Sequence, residues 1–208
     1  MSARAFAWWY PRMMRRVEAA GHAELRRTLL ARARGITLDV GAGTGLSVPH
    51  YPTTVEELVL VEPSPHMRRG LEDLLSDTAT GAGSVRVADG DVYRLPFPDA
   101  TFDTVSASLL FCSLARPAEA LTELARLLRP DGRLLFHEHV RGTGVRRIVQ
   151  HVLAPVQRAV ADGCRPTVDF EDVLARSPFE VTHLVRTQMP RAPYPIVPLV
   201  LGEARLSR

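Results

Sequence analysis

The chain has few of the residues that mark several large classes of protein. Only two of its 208 residues are cysteine, and only 6% are aromatic. Cys112 and Cys164 lie in unrelated sequence contexts, which argues against a disulfide framework and against a zinc site. No apolar run approaches the roughly 18 residues that span a bilayer, and residues 1–10 lack the apolar core of a signal peptide. We therefore expect a cytoplasmic protein without stable membrane insertion.

Charge of either sign is modest as well. The formal net charge is +3, with 24% charged and 46% hydrophobic residues, which is typical of a globular protein. No basic block is long enough to predict a surface for nucleic acid, so no nucleic-acid partner is expected. The length corresponds to one domain of ordinary size.

What the sequence does contain is a glycine-rich loop directly after a short apolar run. Residues 36–45 read Ile-Thr-Leu-Asp-Val-Gly-Ala-Gly-Thr-Gly. The pattern predicts a buried strand that ends in a tight turn. Because glycine has no Cβ, a ligand can approach the backbone of such a loop closely. Loops of this kind between a strand and a helix hold nucleotide-like cofactors in doubly wound α/β folds.

Acidic residues follow the next two predicted strands. Glu62 closes the apolar run 58–61 about 20 residues after the glycine loop, where a carboxylate is placed to accept hydrogen bonds from ribose hydroxyls. Asp91 follows a third run, 85–88, and is placed to accept a hydrogen bond from an adenine amino group. The loop and the two acids together predict a site for an adenosine-containing cofactor.

With these residues the sequence resembles the class I S-adenosylmethionine (SAM)-dependent methyltransferases that carry a type 11 methyltransferase domain. The matching order is Asp-x-Gly-x-Gly-Thr-Gly, a strand-end acid, Gly-Asp before Leu-Pro-Phe at 95–97, then Phe-Asp and a fourth strand. Residues 127–134 resemble the family's Leu-x-Pro-Gly-Gly turn into strand five, with Asp131 in place of the first glycine. The resemblance covers residues 36–140.

The resemblance implies which residues hold SAM, the expected cofactor. Those expected to contact its methionine tail are Asp39, Gly41, Gly43, Thr44 and Gly45. Those expected at the adenosine are Glu62 on the ribose diol, Pro63 and Met67 against the adenine edge, and Asp91 with the Val92 backbone N–H at the adenine amino group. Leu109, at the end of strand four, is expected to close the methyl site.

The spacing of the loop distinguishes SAM from a nicotinamide dinucleotide. The dinucleotide fingerprint is GxGxxG, because a pyrophosphate must rest on the N-terminus of the following helix. Here Gly43 is followed by Thr44 and Gly45, one residue short of that spacing. SAM carries no phosphate, so the shorter loop favours SAM.

Strands alternate with helices along the chain, which indicates a mainly parallel sheet with right-handed crossovers. Helices are predicted over 14–34, 66–75, 117–128, 145–160 (broken near Pro155) and 170–175, and later strands over 102–110, 133–140, 179–187 and 196–206. The resemblance implies an α/β, Rossmann-like doubly wound sheet of seven strands in the order 3-2-1-4-5-7-6, with strand seven antiparallel. We divide the chain into an N-terminal helical lid or cap, 1–35, and a methyltransferase domain, 36–208.

The acceptor site is expected after strands four and five, since the carboxyl ends of parallel strands face the cofactor cleft. Strand five ends Phe-His-Glu-His-Val at 136–140. Alternation along a strand sends Glu138 to the face opposite His137 and His139, which leaves no third ligand, so no metal is expected. His139, nearer the strand end, is the acid/base candidate, whereas His137 is expected in the core.

The N-terminal segment 6–14 contains both tryptophans of the chain. Its aromatic residues are consistent with a lid that shapes the acceptor pocket, with simple packing of the first helix on the sheet, or with contact to a membrane surface. Tyr10 is the second catalytic candidate within this segment.

A narrower resemblance is to a branch of methyltransferase-like proteins that act as alkyl thiol S-methyltransferases. The residues that carry it are Glu-His-Val at 138–140, Asp-Gly-Cys at 162–164, and Phe-Cys-Ser-Leu at 111–114, which approximates the branch's Leu-x-Cys-Ser-Val. This likeness implies a small thiol as the methyl acceptor.

Two functions from different classes remain open. The first is a methyltransferase acting on a small molecule, as a monomer or homodimer. The second is a protein that binds SAM or its demethylated product, S-adenosylhomocysteine (SAH), without catalysis, for instance as a regulatory subunit. A nucleic-acid methyltransferase fits less well, because strand four is not followed by the Asn/Asp-Pro-Pro-Tyr signature of many base-methylating enzymes. A walled acceptor cavity beside the glycine loop would distinguish the enzyme from the binding protein.

Overall fold

The computed structural model of the protein describes residues 3–207, in which one sheet is covered by helices on both faces. The strands are β1 (Gly35–Val40), β2 (Val55–Val61), β3 (Ser84–Ala88), β4 (Phe102–Ser108), β5 (Leu128–His139), β6 (Phe179–Gln188) and β7 (Pro198–Leu206). The helices are α1 (Ala3–Val17), α2 (Ala23–Leu30), α3 (Pro65–Asp77), α4 (Pro117–Leu127), α5 (Gly144–Val160) and α6 (Phe170–Ala175).

The strand order confirms the predicted topology. The sheet runs β3-β2-β1-β4-β5-β7-β6, and β7 is antiparallel to both of its neighbours. The pairs from β3 to β5 are all parallel. The direction in which the chain adds strands reverses between β1 and β4, and ligands bind at such a switch point in open α/β sheets.

The central strands are buried on both faces, and their alternation divides the core into two layers. On β2, Leu58 and Leu60 pack with the buried residues of α2 and α3, whereas Val59 and Val61 pack with those of α4 and α6. This explains why β1 and β2 appear in the sequence as nearly continuous apolar runs before the polar loops that follow them.

The N-terminal helix differs from the prediction of one helix over 14–34. Helix α1 already begins at Ala3, and a π-helical turn, Glu18–His22, separates it from α2. Gly21 has φ 115°, a conformation that glycine adopts readily and that breaks the regular helix. The predicted start was too late because aromatic residues have only moderate helix propensity, although they recur here at helical spacing.

Other boundaries differ by a few residues. Helix α5 continues through Pro155 instead of breaking there, since solvent can satisfy a carbonyl that a proline leaves free on an exposed helix.

Three strand boundaries also differ from the prediction. Strand β4 ends at Ser108 because Leu109 has a left-handed backbone, φ 55°. Strand β5 begins early because Leu128 already pairs with Phe102. Strand β7 begins two residues late, after a 3₁₀ turn at Tyr194–Ile196.

Helix α5 is attached to the fold through a polar side chain. Gln150 is its buried residue; the amide nitrogen donates to the carbonyls of Val140 (3.2 Å) and Pro195 (2.8 Å), and the amide oxygen accepts from Gly142 N–H (2.7 Å). Apolar side chains on the opposite side of the helix, such as Ile148, are exposed. The position of α5 therefore depends on hydrogen bonds more than on apolar packing. Of the helices within 3–207, none is both long enough and apolar enough to cross a membrane.

Candidate active site

A cavity of about 450 Å³ opens at the carboxyl ends of β1, β2, β4 and β5. This volume lies in the range of pockets that hold small ligands. The glycine loop and the end of β2 contribute Gly41, Gly43, Glu62, Pro63 and Met67. Helix α1 contributes Phe6, Trp9, Tyr10, Met13 and Met14. Among the residues at the far end are Leu109, Cys112, Ser113, His139, Cys164 and Ile196. The cavity thus has a glycine-lined end and an end walled by apolar, sulfur and imidazole groups.

The glycines of the loop serve different purposes. Gly43 and Gly45 both have left-handed backbones, with φ 59° and 86°. A Cβ on Gly45 would lie 2.6 Å from a methyl group of Leu74 on α3, so that glycine is required for packing. A Cβ on Gly43 would meet nothing closer than the Gly41 carbonyl oxygen at 4.0 Å. The loop therefore leaves open space for a ligand in front of Gly43.

Glu62 connects the glycine loop to the start of α3. One carboxylate oxygen accepts a hydrogen bond from Gly43 N–H and the other accepts from Ser64 N–H, each at 2.9 Å. Burial raises the pKa of Glu62, and the two backbone N–H groups oppose that shift. Each carboxylate oxygen has a second lone pair, so Glu62 can still accept hydrogen bonds from a ligand in the cavity.

Asp39 lies beneath the loop rather than on the cavity wall. It is buried, and its Oδ2 has no hydrogen-bond partner among the described residues. Burial raises its pKa to about 6, against the opposing hydrogen bonds of Tyr51 and Ser106. A buried carboxylate oxygen without a partner is costly unless a water or ligand satisfies it. Thr44 and Gly45 border a neighbouring depression between α1 and α3, and the Thr44 hydroxyl is likewise buried without a partner.

Asp91 and Val92 are not on the wall of the cavity. Asp91 is exposed, and its carboxylate accepts a hydrogen bond from Tyr93 N–H at 3.1 Å within its own turn. Val92 packs in the core. Nearby, Arg68 of α3 donates to the Glu62 carbonyl and pairs with Asp89 at 2.9 Å. The contact of Asp91 and Val92 with adenine stays a prediction.

At the far end of the cavity, Cys112, His139 and Cys164 come together. One ligand-type atom of each lies within 4.8 Å of the others, and all three residues are buried. The two cysteines therefore lie close together in the fold although their sequence contexts are unrelated. Arg165 N–H donates to the Cys112 carbonyl at 2.8 Å, and this link between two loops joins segments far apart in sequence. No local pattern predicts such a contact, although both cysteines fall in the motifs that carry the narrower resemblance.

The end of β5 sets the geometry of this cluster. Glu138 accepts hydrogen bonds from the backbone N–H groups of Phe111 and His139, and burial raises its pKa to about 7. Burial lowers the pKa of His139 to about 4, so its ring is neutral at physiological pH. His137 lies in the core as expected, with its ring 4.5 Å from that of His22.

Tyr10 reaches the cavity from α1. Its ring centroid lies 5.0 Å from that of Phe6, and burial raises the pKa of its phenol strongly, so the hydroxyl stays protonated. The tryptophans of the segment differ, since Trp9 borders the cavity whereas Trp8 is 62% exposed. Side chains of the predicted aromatic segment therefore line the cavity from helix α1, and a role of this segment as a lid stays a prediction.

Comparison with known proteins identifies the family. Residues 38–136 match the methyltransferase domain family. Thiol S-methyltransferase TMT1B of Mus musculus is 30% identical over 170 residues, covering 80% of this chain and 69% of the relative. The chain belongs to the SAM-dependent methyltransferases. Thiol S-methyltransferase TMT1B of Homo sapiens is 28% identical to this methyltransferase over 191 residues, covering 86% and 77% of the two chains. A SAM-dependent methyltransferase from Thermotoga maritima shares the fold, with a TM-score of 0.70 at 19% identity and coverage of 97% and 96%.

The residues of this methyltransferase fit SAM, the methyl donor that its family implies. The space in front of Gly43 admits a ligand to the backbone, and the unpartnered Asp39 oxygen beneath the loop suits a water that bridges to a positively charged amino group. Of the predicted cofactor residues, Gly41, Gly43, Glu62, Pro63, Met67 and Leu109 line the cavity. Phe6 and Met13 of the predicted segment 6–14 also line the cavity, whereas Gln157 and Val160 at the end of α5 line it and were not predicted.

Proposed function

We propose that this methyltransferase transfers a methyl group from SAM to a small thiol. The observation that carries the proposal is the far end of the cavity, where apolar residues and the Cys112, His139 and Cys164 side chains enclose a space continuous with the glycine loop. The thiol S-methyltransferase names of the relatives support the same acceptor class.

The far end of the cavity suits an anionic sulfur nucleophile. Bound SAM supplies a methyl group on a positively charged sulfur, open to in-line displacement. A free thiol has a pKa of about 8.5, so a few per cent is thiolate at neutral pH and is strongly nucleophilic. An apolar environment favours a reaction in which an anion and a cation lose charge. The reaction therefore requires alignment and exclusion of water, and His139 presents an unprotonated nitrogen to the same space.

At the donor end, we assign the ribose to Glu62 and the adenine edge to Pro63 and Met67. Glu62 is already held in place by Gly43 and Ser64, so its free lone pairs point from a fixed carboxylate. Pre-positioned acceptors of this kind lose little conformational entropy when a ligand binds. The methionine tail then lies against Gly43 and the sulfonium faces Leu109, which places its methyl group near the sulfur and imidazole groups.

We further propose that the segment 1–35 acts as a lid on the domain 36–208. Phe6, Tyr10 and Met14 of α1 form the roof of the cavity, so substrates reach it only if this helix moves or if they enter at its edge. The protonated phenol of Tyr10 positions the acceptor by contact or hydrogen bonding instead of acting as a base.

The test is incubation of the purified protein with methyl-labelled SAM and matched alkyl thiols, phenols, amines and quinols. The expected product is a labelled S-methyl thioether, formed with thiols only. Glu62→Ala serves as the control with impaired donor binding. Label on a different acceptor class contradicts the thiol assignment. Tight SAH binding with no methyl transfer to any acceptor supports the alternative, a non-catalytic SAM- or SAH-binding protein.

A further inference from the structure

The cluster of Cys112, His139 and Cys164 has the composition of a metal site. Thiolate sulfur and neutral imidazole nitrogen are the ligands that zinc prefers. The three candidate ligand atoms lie within 4.8 Å of one another in the interior, on the loop after β4, the end of β5 and the loop after α5. The three candidate ligands include no carboxylate. The cluster therefore differs from the groups of acidic residues that are common on protein surfaces.

One of the ligand atoms, the Nδ1 of His139, lacks a partner of its own within residues 3–207. His139 is 5% exposed, and its Nδ1 has no hydrogen-bond partner in the described part of the chain. The Cys112 sulfur has long contacts to the Leu109 carbonyl at 3.6 Å and the Ser113 hydroxyl at 3.8 Å, and it also hydrogen-bonds with Cys164 and with the buried Glu138 carboxyl. Buried polar atoms are normally paired, so the unpaired His139 nitrogen beside two sulfurs is available to bind a ligand.

We propose that Cys112, His139 and Cys164 bind one zinc ion whose fourth position is open to the cavity. Zinc bonds of about 2.0 Å to nitrogen and 2.3 Å to sulfur place ligand atoms roughly 3.5–3.8 Å apart, so ligand atoms that lie within 4.8 Å of one another need to approach by about 1.3 Å at most. Three protein ligands and one open position are the pattern of catalytic zinc sites, whereas structural sites have four protein ligands. All three residues line the same cavity, which provides access for a fourth ligand.

The surroundings hold the ligands in place. Glu138 accepts hydrogen bonds from the backbone of both Phe111 and His139, and so fixes the two segments that carry His139 and Cys112. Arg165 ties the Cys164 loop to the Cys112 carbonyl. A hydrogen bond with the Ile196 backbone orients the His139 ring. Such outer contacts normally accompany metal-bound histidine.

Charge balance favours a divalent cation here. When zinc binds, the two cysteines release their protons to solvent, and two thiolates neutralise the ion. An acceptor thiol that takes the fourth position releases its proton to solvent in the same way and is held as a thiolate at neutral pH. Zinc changes no oxidation state, so no oxidant or reductant is needed. The role of the fourth position rests on the proposed thiol function, whereas zinc binding itself does not.

Metal content tests the site directly. The protein, without an affinity tag and purified without chelators, is expected to contain about one zinc ion per chain. Cys112→Ser, Cys164→Ser and His139→Ala should each lower the zinc content about tenfold or more, while His151→Ala, which changes an exposed histidine on α5, should not. Thermal unfolding shows which variants fold, and zinc titration of the wild type against a coloured chelator tests the site without any variant.

Replacement by cobalt gives a second readout. Cobalt in the site should show the strong visible absorption of tetrahedral coordination with thiolate ligands. An alkyl thiol should shift this absorption, while the matching alcohol should not.

The proposal is overturned if zinc-reconstituted wild type holds no more metal than the Cys112→Ser/Cys164→Ser double variant. A native disulfide between these cysteines overturns it as well. If the zinc-free enzyme methylates thiols at the full rate, the proposed role of the open fourth position is wrong, and the thiol function still holds. Zinc binding without thiol methylation contradicts the thiol function and leaves the zinc site intact.

Discussion

At the scale of single residues, Glu62 has two tasks that one carboxylate can combine. It fixes the glycine loop through Gly43 and the start of α3 through Ser64. Its remaining lone pairs are available to a ribose diol. Hydrogen bonds to a charged group contribute about 1.5–3 kcal/mol, so both tasks are energetically significant.

We predict that Glu62→Ala weakens SAH binding by roughly 1.5–3 kcal/mol, because charged hydrogen bonds to the ribose are lost and the loop loosens. Isothermal calorimetry measures the affinity. Glu56→Ala, which truncates an exposed acid on the same strand, is the matched control and should bind SAH normally. Equal affinities for the two variants would mean that Glu62 does not hold the cofactor.

His22 provides a prediction about pH. It is fully buried; burial and the Arg26 guanidinium lower its pKa to about 3. Glu18 lies 4.0 Å away, and the His137 ring packs against it. The unfolded chain therefore binds a proton at His22 below about pH 6.5 that the folded protein excludes. Stability from this residue is present above that pH and is lost as the pH falls, by up to about 1.4 kcal/mol per pH unit.

His22→Gln should remove this dependence, since glutamine does not titrate. Urea unfolding between pH 7 and 4 measures the free energy of unfolding of both proteins. We expect the wild type to lose its advantage over the variant as the pH falls. Asp39, with its raised pKa, contributes in the opposite sense but equally in both proteins. Parallel stability curves would contradict the assignment.

At the scale of elements, two glycines of the loop have different roles, Gly45 in the stability of the fold and Gly43 in ligand binding. Alanine at either Gly43 or Gly45 has an unfavourable left-handed backbone, at a cost of roughly 1–2 kcal/mol. Only at Gly45 does the new Cβ also collide with Leu74 and Leu71. We predict that Gly45→Ala lowers the melting temperature more, whereas Gly43→Ala loses more SAH affinity. Calorimetry and thermal unfolding of the pair test this, and the reverse order would place the ligand elsewhere.

Helix α5 gives a second test at this scale. Gln150→Ala leaves the carbonyls of Val140 and Pro195 and the N–H of Gly142 without their partner. Unsatisfied buried groups cost about 1–3 kcal/mol, so we expect reduced stability and faster proteolysis around α5. His151→Ala, on the exposed side of the same helix, should change neither. If the two variants digest at equal rates, α5 is held by contacts other than Gln150.

The ends of helices and strands were predictable where a residue close by in the sequence marks them. Pro65 and Pro117 begin their helices as the sequence indicates, because proline suits the first helical turn. The left-handed turn at Leu109 could not be predicted, since leucine carries no preference for it. The continuation of α5 through Pro155 was also not predictable, because it depends on whether solvent can reach the carbonyl that the proline leaves free.

At the scale of the whole molecule, the sheet order came from the family resemblance, and spacing alone gave only a parallel α/β sheet. That Gly41, Gly43 and Glu62 line one cavity was predictable because they follow successive strands and so meet at one edge of the sheet, whereas their contact with the cofactor stays a prediction. The acceptor end was not predictable, since Cys112 and Cys164 are brought together by Arg165 across two loops. The same limit applies to Asp91, whose motif position is correct for the family but whose side chain turns to its own loop.

The most direct test of the account is a crystal structure of the protein with SAH. We predict the ribose hydroxyls on the Glu62 carboxylate, the amino-acid tail against Gly43, and the sulfur directed into the space bounded by Leu109 and His139. A cavity without SAH in such crystals, or a bound SAH whose sulfur points away from His139 and the two cysteines, would contradict it.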